Sequence, residues 1–313
     1  MEPLQETDMR RQCLTLCAAV LACTCAAFGQ NTRSAVSVNG SDGNACTVPA
    51  PCRTFAKAIT VTNSGGEIIA LDSGGYGPFT IDRAVTVRPV PGAYAGLAPT
   101  TTDGITVSAG GTDDVVLRGI TINGLGGSNG INYIHARSLS VENTAIDRLT
   151  ATGIMDLSGA NLSVSNTSII DSYTGIQVGN GGMGYPTVST TITNCNIDHN
   201  SNIAISVYQT GKATITNTVL ANNGAGLIVI AQVATLVADV VIESSTISGN
   251  GTGIASAAPA GTATTRVSNC TISHNTTGLQ NSGGQSSPIL SRLNNTLQAN
   301  GTNGTFDGPF TAD

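Results

Sequence analysis

Residues 269–281 read NCTISHNTTGLQN: an Asn, an Ile three positions on, a second Asn three beyond that, then a Gly-Leu pair. The phrase returns as NCNIDHN at 194, NTVLANNGAGL at 217, STISGNGTGI at 245 and NTLQANGTNG at 295. Aligned on the central Ile or Leu, the copies fall at Ile122, Ile146, Ile169, Ile197, Leu220, Ile247, Ile272 and Leu297, at intervals of 23 to 28 residues. Five residues before this anchor a second apolar column recurs: Leu117, Val141, Val164, Ile192, Ile215, Ile242 and Val267. A third follows it: Ile131, Ile154, Ile176, Ile205, Leu227, Ile254 and Leu279, each after a Gly except Ile205, which follows Ala204.

Each repeat thus holds three short apolar-centred strands separated by Asn- or Gly-bearing bends, with no stretch long or periodic enough for a helix. A strand of three to five residues cannot hide its apolar face alone. If the chain coils so that each repeat lies on the last, every strand pairs in parallel with its copies at roughly 4.8 Å, and the Ile/Val/Leu columns stack into one core. Three residues before the anchor stand Asn143, Asn166, Asn194, Asn217 and Asn269, with Gly119 and Ser244 in the same column. These amides are expected to stack and to satisfy bend carbonyls. The LxxLxL spacing of leucine-rich repeats is absent.

Composition agrees with an all-β chain. The 313 residues include 38 Gly and no Trp, and only 10% are charged. The net charge of −6, with 13 Lys+Arg and no basic run, argues against a nucleic-acid partner.

Arg10-Arg11 precede the apolar run Cys13–Phe28, and small residues follow, so residues 1–29 read as a signal peptide, with Met1 or Met9 as the start. The run is short for a bilayer span, and no second apolar stretch of spanning length follows. Leu21 before Ala22 is a poor fit to a lipoprotein box at Cys23. A secreted, extracellular or periplasmic location is expected. In an exported chain Cys46 and Cys52 close a disulfide loop over CTVPAPC; the alternative is two free thiols. Cys195 and Cys270 lie three rungs apart, too far to bond, and read as small buried apolar residues.

Residues 30–66 are expected to form an N-terminal cap segment, with a short helix within 51–62 opened by Pro51, and 67–313 the solenoid. The stretches EIIALDSGGYGPFTI (67–81) and AVTV (84–87) read as early, less regular coils. VNGSDGNACTVPAPCRTFAKAI, GGEIIALDSGGYG and the NxxIxxN…GI rungs together resemble the secreted right-handed parallel β-helix proteins of the pectate-lyase-like superfamily, over about residues 36–305. The resemblance implies a right-handed parallel β-helix of three-strand coils. It does not fix function, since the scaffold carries lyases, hydrolases, adhesins and non-catalytic surface proteins.

Chemistry is sought in the polar columns. Two residues past the anchor stand Gly124, Arg148, Asp171, His199, Asn222, Gly249 and His274, and one past it Asp147 and Asp198. The resemblance implies calcium held by acidic residues and an Arg near the reacting carbon. Arg148, Asp171 and His199 are therefore the candidate catalytic group, and Asp147, Asp171 and Asp198 the candidate Ca²⁺ ligands. The alternative is a solvated charge ladder. Gly111-Thr112-Asp113-Asp114 resembles the paired Asp of polygalacturonases, but their Asn-Thr-Asp, Gly-His-Gly and Arg-x-Lys motifs are missing, and the stretch reads as a bend. Tyr133, Asp156 and Tyr208 are candidates to line a groove. The insertions 179–186, 231–239 and 257–264 fall at one bend and should project on one side. The expected function is non-catalytic binding of a polysaccharide or cell-surface glycan. The alternative is an enzyme on an acidic polysaccharide, a lyase before a hydrolase.

Overall fold

The computed structural model describes residues 31–179 and 188–311. The signal-peptide reading, with Cys13, Cys17, Cys23 and Cys25, and most of the 179–186 insertion lie outside them. The strands assemble into three parallel sheets of 12, 9 and 10 strands. One coil runs through all three. Ser138–Glu142 belongs to the first sheet, Ala145–Asp147 to the third and Thr152–Asp156 to the second, before Asn161–Ser165 returns to the first. The fold is an all-β parallel β-helix.

The three apolar columns set the register. Ile146 pairs with Ile122 on one side and Ile169 on the other. Val141 lies between Leu117 and Val164, and Ile154 between Ile131 and Ile176. A one-residue slip would turn every inward side chain out, so the columns lock the coils together. All three line one continuous core.

The bends explain the polar columns. Asn143, Asn166, Asn194, Asn217, Ser244 and Asn269 all have φ between 49° and 55°. So do the residues of the second bend: Arg148, Asp171, His199, Asn222 and His274 lie between 53° and 59°, and Gly249 at 69°. Asn, Asp, His and Gly enter this left-handed region at the least steric cost, and the composition of both columns follows from that.

The expected amide stack is in a different column. Asn143, Asn166, Asn194 and Asn217 are exposed. The ladder is Asn200, Asn223, Asn250 and Asn275, all buried, and the half-buried Asn300, three residues after the anchor. Asn200 Nδ2 donates to Asn223 Oδ1 at 3.0 Å, Asn223 to Asn250 at 3.0 Å, Asn250 to Asn275 at 2.9 Å and Asn275 to Asn300 at 2.9 Å. Each of these four acceptor oxygens also takes the backbone N–H of the preceding Asn. The second bend, once left-handed, turns its next residue inward, where an Asn side chain supplies both the donor and the acceptor that the stacked amides use.

A second ladder lies after the first bend. Thr144 N–H donates to Thr167 Oγ1, Cys195 N–H to Thr218 Oγ1, Thr218 N–H to Ser245 Oγ and Cys270 N–H to Asn295 Oδ1. Cys195 and Cys270 sit in this hydroxyl column, and their thiols donate to Thr193 O at 3.3 Å and Ser268 O at 3.2 Å. They are buried weak donors rather than plain apolar filling.

At the N-terminal edge, Asn31–Val36 pairs with Thr62–Ala70, so this segment is continuous with the first sheet. Cys46 and Cys52 are joined by a disulfide, with Cα atoms 4.6 Å apart. The helix runs from Phe55 to Val61, not from Pro51. Thr54 caps it, its hydroxyl accepting from Lys57 N–H, and Asp42 holds the N–H groups of Arg53 and Thr54. Phe55 meets Tyr76 and Phe79 with ring centres 5.0 and 5.1 Å apart. At the other end Gly308–Pro309 adds a last strand beside Leu290-Ser291, and Phe306 packs on the core.

Candidate functional site

Arg148, Asp171 and His199 occupy successive coils of the second bend, and their backbones are tied coil to coil. Arg148 N–H donates to Ile170 O, Asp171 N–H to Asp198 O and His199 N–H to Ala221 O. Their side chains do not join. Arg148 pairs with its chain neighbour Asp147 at 3.3 Å, and His199 with its neighbour Asp198 at 3.0 Å. The Arg148 and His199 side chains are 55% and 61% exposed, on an open shelf. Asp171 makes no side-chain hydrogen bond or ion pair among the described residues.

The carboxylates proposed for Ca²⁺ do not gather either. Asp147 pairs in register with Ile170, and Ile170 with Asp198, so an apolar residue separates the two. Asp198 also accepts from Asn222 Nδ2 at 3.0 Å. Among the described residues no three His, Cys, Asp or Glu side chains form a metal-holding group. Ca²⁺ prefers several converging oxygens, and this arrangement does not supply them. Burial pushes the Asp147 carboxyl above the ordinary value and the nearby Asp171 adds to this, while Arg148 pulls it back. Its Oδ1 is buried without a partner.

Tyr133 and Asp156 line no groove. They stand two residues beyond Ile131 and Ile154, on the same side of the strand, and both are fully buried in the core. Burial raises the Asp156 carboxyl to about 6, against the two hydrogen bonds it accepts from Ser158. The loops after the second sheet, at 231–236 and 258–261, do fall at one bend, between strands of the second and first sheets.

Three surface features were not read from the sequence. A pocket of about 430 Å³ on the second sheet is lined by Phe79, Thr80, Thr102, Asp103 and Thr106. Asp103 is held there by Asn129, through its N–H and Nδ2, and by Asn132 Nδ2 at 2.8 Å. A shallow trough of about 220 Å³ crosses three coils of the first sheet, over Ser138, Ser140, Asn161, Ser163, Ser189 and Thr191. A third pocket, of about 380 Å³, lies where Arg88 and Arg118 flank the bend 89–93. Its signal was present: Arg88 follows Val87 as Arg118 follows Leu117, and those apolar residues pair. The interval of 30 residues between them is longer than any in the aligned repeats, which hides the correspondence of the two coils.

The comparisons agree with this architecture. Residues 183–306 match a family described as right handed beta helix region. The pectate lyase Pel9A is similar in structure, with a TM-score of 0.55 and 15% identity, over 84% of this chain and 69% of that one. A rhamnogalacturonan lyase gives a TM-score of 0.56 at 12% identity, over 77% and 74%. No curated protein matches the sequence. The fold is therefore a right-handed, pectate-lyase-like β-helix, and at these identities the likeness carries the fold alone.

Proposed function

We propose that this is an exported, non-catalytic glycan-binding protein, with an extended saccharide lying along the outer face of the first sheet. The observation that carries the reading is the contrast between the two polar surfaces. Of the charged residues suited to acid–base work, Arg148 and His199 pair off with their own chain neighbours and stand more than half open to water, and Asp171 makes no pair among the described residues. The first sheet instead offers a shallow, uncharged trough over three successive coils, lined by the hydroxyl and amide groups of Ser, Thr and Asn side chains together with Leu139 and Leu162. Such groups, fixed at strand spacing, match the repeating hydroxyls of a polysaccharide. Two structural neighbours are named as lyases of pectate and rhamnogalacturonan, which supports a polysaccharide partner. Export is supported by the apolar N-terminal run and the Cys46–Cys52 bridge. The test is titration calorimetry of the full chain with pectate, alginate, hyaluronan and neutral glucans, alongside turnover on the same panel. Binding without new reducing ends is the expected result. Silence in both assays sinks the reading.

A second reading, a polysaccharide lyase, has one observation in its favour: Asp147, with raised proton affinity and an unpartnered oxygen, lies beside Arg148. It requires unsaturated uronate to accumulate, seen as rising ultraviolet absorbance.

A further inference from the structure

The geometry points to an oxyanion site between Arg88 and Arg118, built to take the carboxylate or sulfate ester of an anionic saccharide unit. The saccharide part rests on the glycan-binding reading above; the oxyanion site does not. In the first sheet Val87 pairs with Leu117, so Arg88 and Arg118, one step on, stand on adjacent coils roughly 4.8 Å apart. The inward turn of Val87 and Leu117 sends both guanidinium groups outward. Two like charges so close need compensation, and each has its own. Arg88 Nε donates to Glu67 Oε1, and Arg118 Nε to Glu142 Oε2 at 2.8 Å. Arg33 also donates to Glu67. The cluster therefore holds three Arg against two Glu, a local excess of one positive charge on a chain whose net charge is −6.

Both carboxylates take the Nε edge. The Arg118 guanidinium makes no other hydrogen bond among the described residues, and that of Arg88 makes only a 3.4 Å contact from Nη1 to Pro89 O. The terminal nitrogens remain available, and the two side chains flank one pocket of about 380 Å³. Its floor is apolar, formed by Pro89, Val90, Pro91 and Ala93. An apolar floor under a guanidinium rim fits a sugar ring that lays a C–H face down and presents an anionic group at its edge. Gly119, whose φ is +65°, packs beside the bend: a Cβ there would lie 3.4 Å from the Pro89 ring, at van der Waals contact. The pocket lies on the same sheet as the trough, one coil before Ser138 and Ser140.

The experiment is titration calorimetry of the full chain with a galacturonate oligomer, the same oligomer methyl-esterified, and a sulfated galactan oligomer. Esterification removes the charge and keeps the sugar. The ester should bind at least about tenfold more weakly than the acid, the loss of a charge-assisted hydrogen bond. Arg118→Gln and Arg88→Gln should each bring the acid down toward the ester. Arg266→Gln, which breaks a pair with Asp239 farther along the same sheet, should change nothing. The relative strength of acid and sulfated oligomers decides which oxyanion is preferred. Equal binding of acid, ester and sulfated forms overturns the site, as does an Arg118→Gln chain that still discriminates. If no oligomer binds, the glycan reading fails, and the site is judged on inorganic sulfate against chloride at equal ionic strength. A rise in Tm with sulfate that is lost in Arg118→Gln supports it, and an equal response in both chains overturns it.

Discussion

Asp156 lies one coil beyond Tyr133 in the same core-facing column of the second sheet, its Cα in register with that of the Tyr and both side chains fully buried. Val178 follows on the next coil. Asp156 Oδ1 accepts from the N–H and hydroxyl of Ser158, at 3.0 and 2.7 Å, while Oδ2 has no partner. A carboxylate among Val and Tyr side chains is costly when charged. Burial accordingly raises its pKa to about 6, from 3.8 for a free side chain, and pushes the Tyr133 phenol up to about 12.

The folded state therefore holds this proton more tightly than the unfolded chain. Stability from this group is complete below about pH 4, falls as pH rises through 6, and is flat above. The loss is about 2–3 kcal/mol. Asp156→Asn keeps the acceptor for Ser158 and cannot ionise, so this fall should be missing from its pH profile and its stability should exceed the wild type's at pH 8. Urea denaturation of both chains at pH 4.5 and pH 8 measures this. Parallel pH profiles would show that Asp156 is neutral throughout or reaches water.

The buried amide ladder carries a second prediction. Asn223 Oδ1 accepts from Asn200 N–H and Nδ2, and its own Nδ2 donates to Ala221 O at 2.7 Å. Asn223→Ala strands donors and acceptors on both neighbouring coils, and should cost about 2–4 kcal/mol. Asn217 is exposed, with φ of 49°, and only its backbone conformation is required. Asn217→Gly should stay within about 0.5 kcal/mol of wild type. Equal losses in the two variants would contradict the assignment of the ladder.

The same two columns show what the sequence discloses. The anchor and its two apolar companions are legible because a repeat fixes register without knowledge of any angle. The two Asn columns are symmetric about the anchor, three before and three after, and spacing alone cannot say which is buried. What separates them is backbone φ: the earlier column is itself the left-handed bend, whereas the later one follows a left-handed bend at His199, Asn222 or His274. Tyr133 and Asp156 were misplaced for a simpler reason. Strand alternation from Ile131 and Ile154 turns them inward, and their polarity hid that parity. The carboxylates at 147, 171 and 198 share columns in sequence, but Ile170 between two of them is enough to separate their charges.

The hydroxyl ladder gives a third test. Cys195 lies on the coil between Thr167 and Thr218, donating through sulfur where they donate through oxygen. Cys195→Thr should be tolerated within about 1 kcal/mol, since the column already accepts Thr on both sides. Cys195→Val has nearly the same shape and no donor, leaving Thr193 O without this partner, and should cost about 1–2 kcal/mol more than the Thr variant. Thermal unfolding of the pair measures the difference. Equal Tm values would mean that the thiol acts only as volume.

Arg148 decides between the two functional readings. Its φ of 57° is one that a Gly adopts without steric cost, and its ion pair with Asp147 is more than half exposed on the Arg side. Exposed pairs of this kind contribute about 0–1 kcal/mol, and relief of a left-handed side chain returns a comparable amount. Arg148→Gly should therefore leave stability within about 1 kcal/mol of wild type, and glycan binding on the first sheet, around the core from this bend, unaltered. Turnover should be absent before and after the change. A lyase behaves otherwise: ultraviolet absorbance would rise on pectate with the wild-type chain and vanish in Arg148→Gly while the fold persists. That outcome would make Asp147 and Arg148 the reacting pair and overturn the non-catalytic reading.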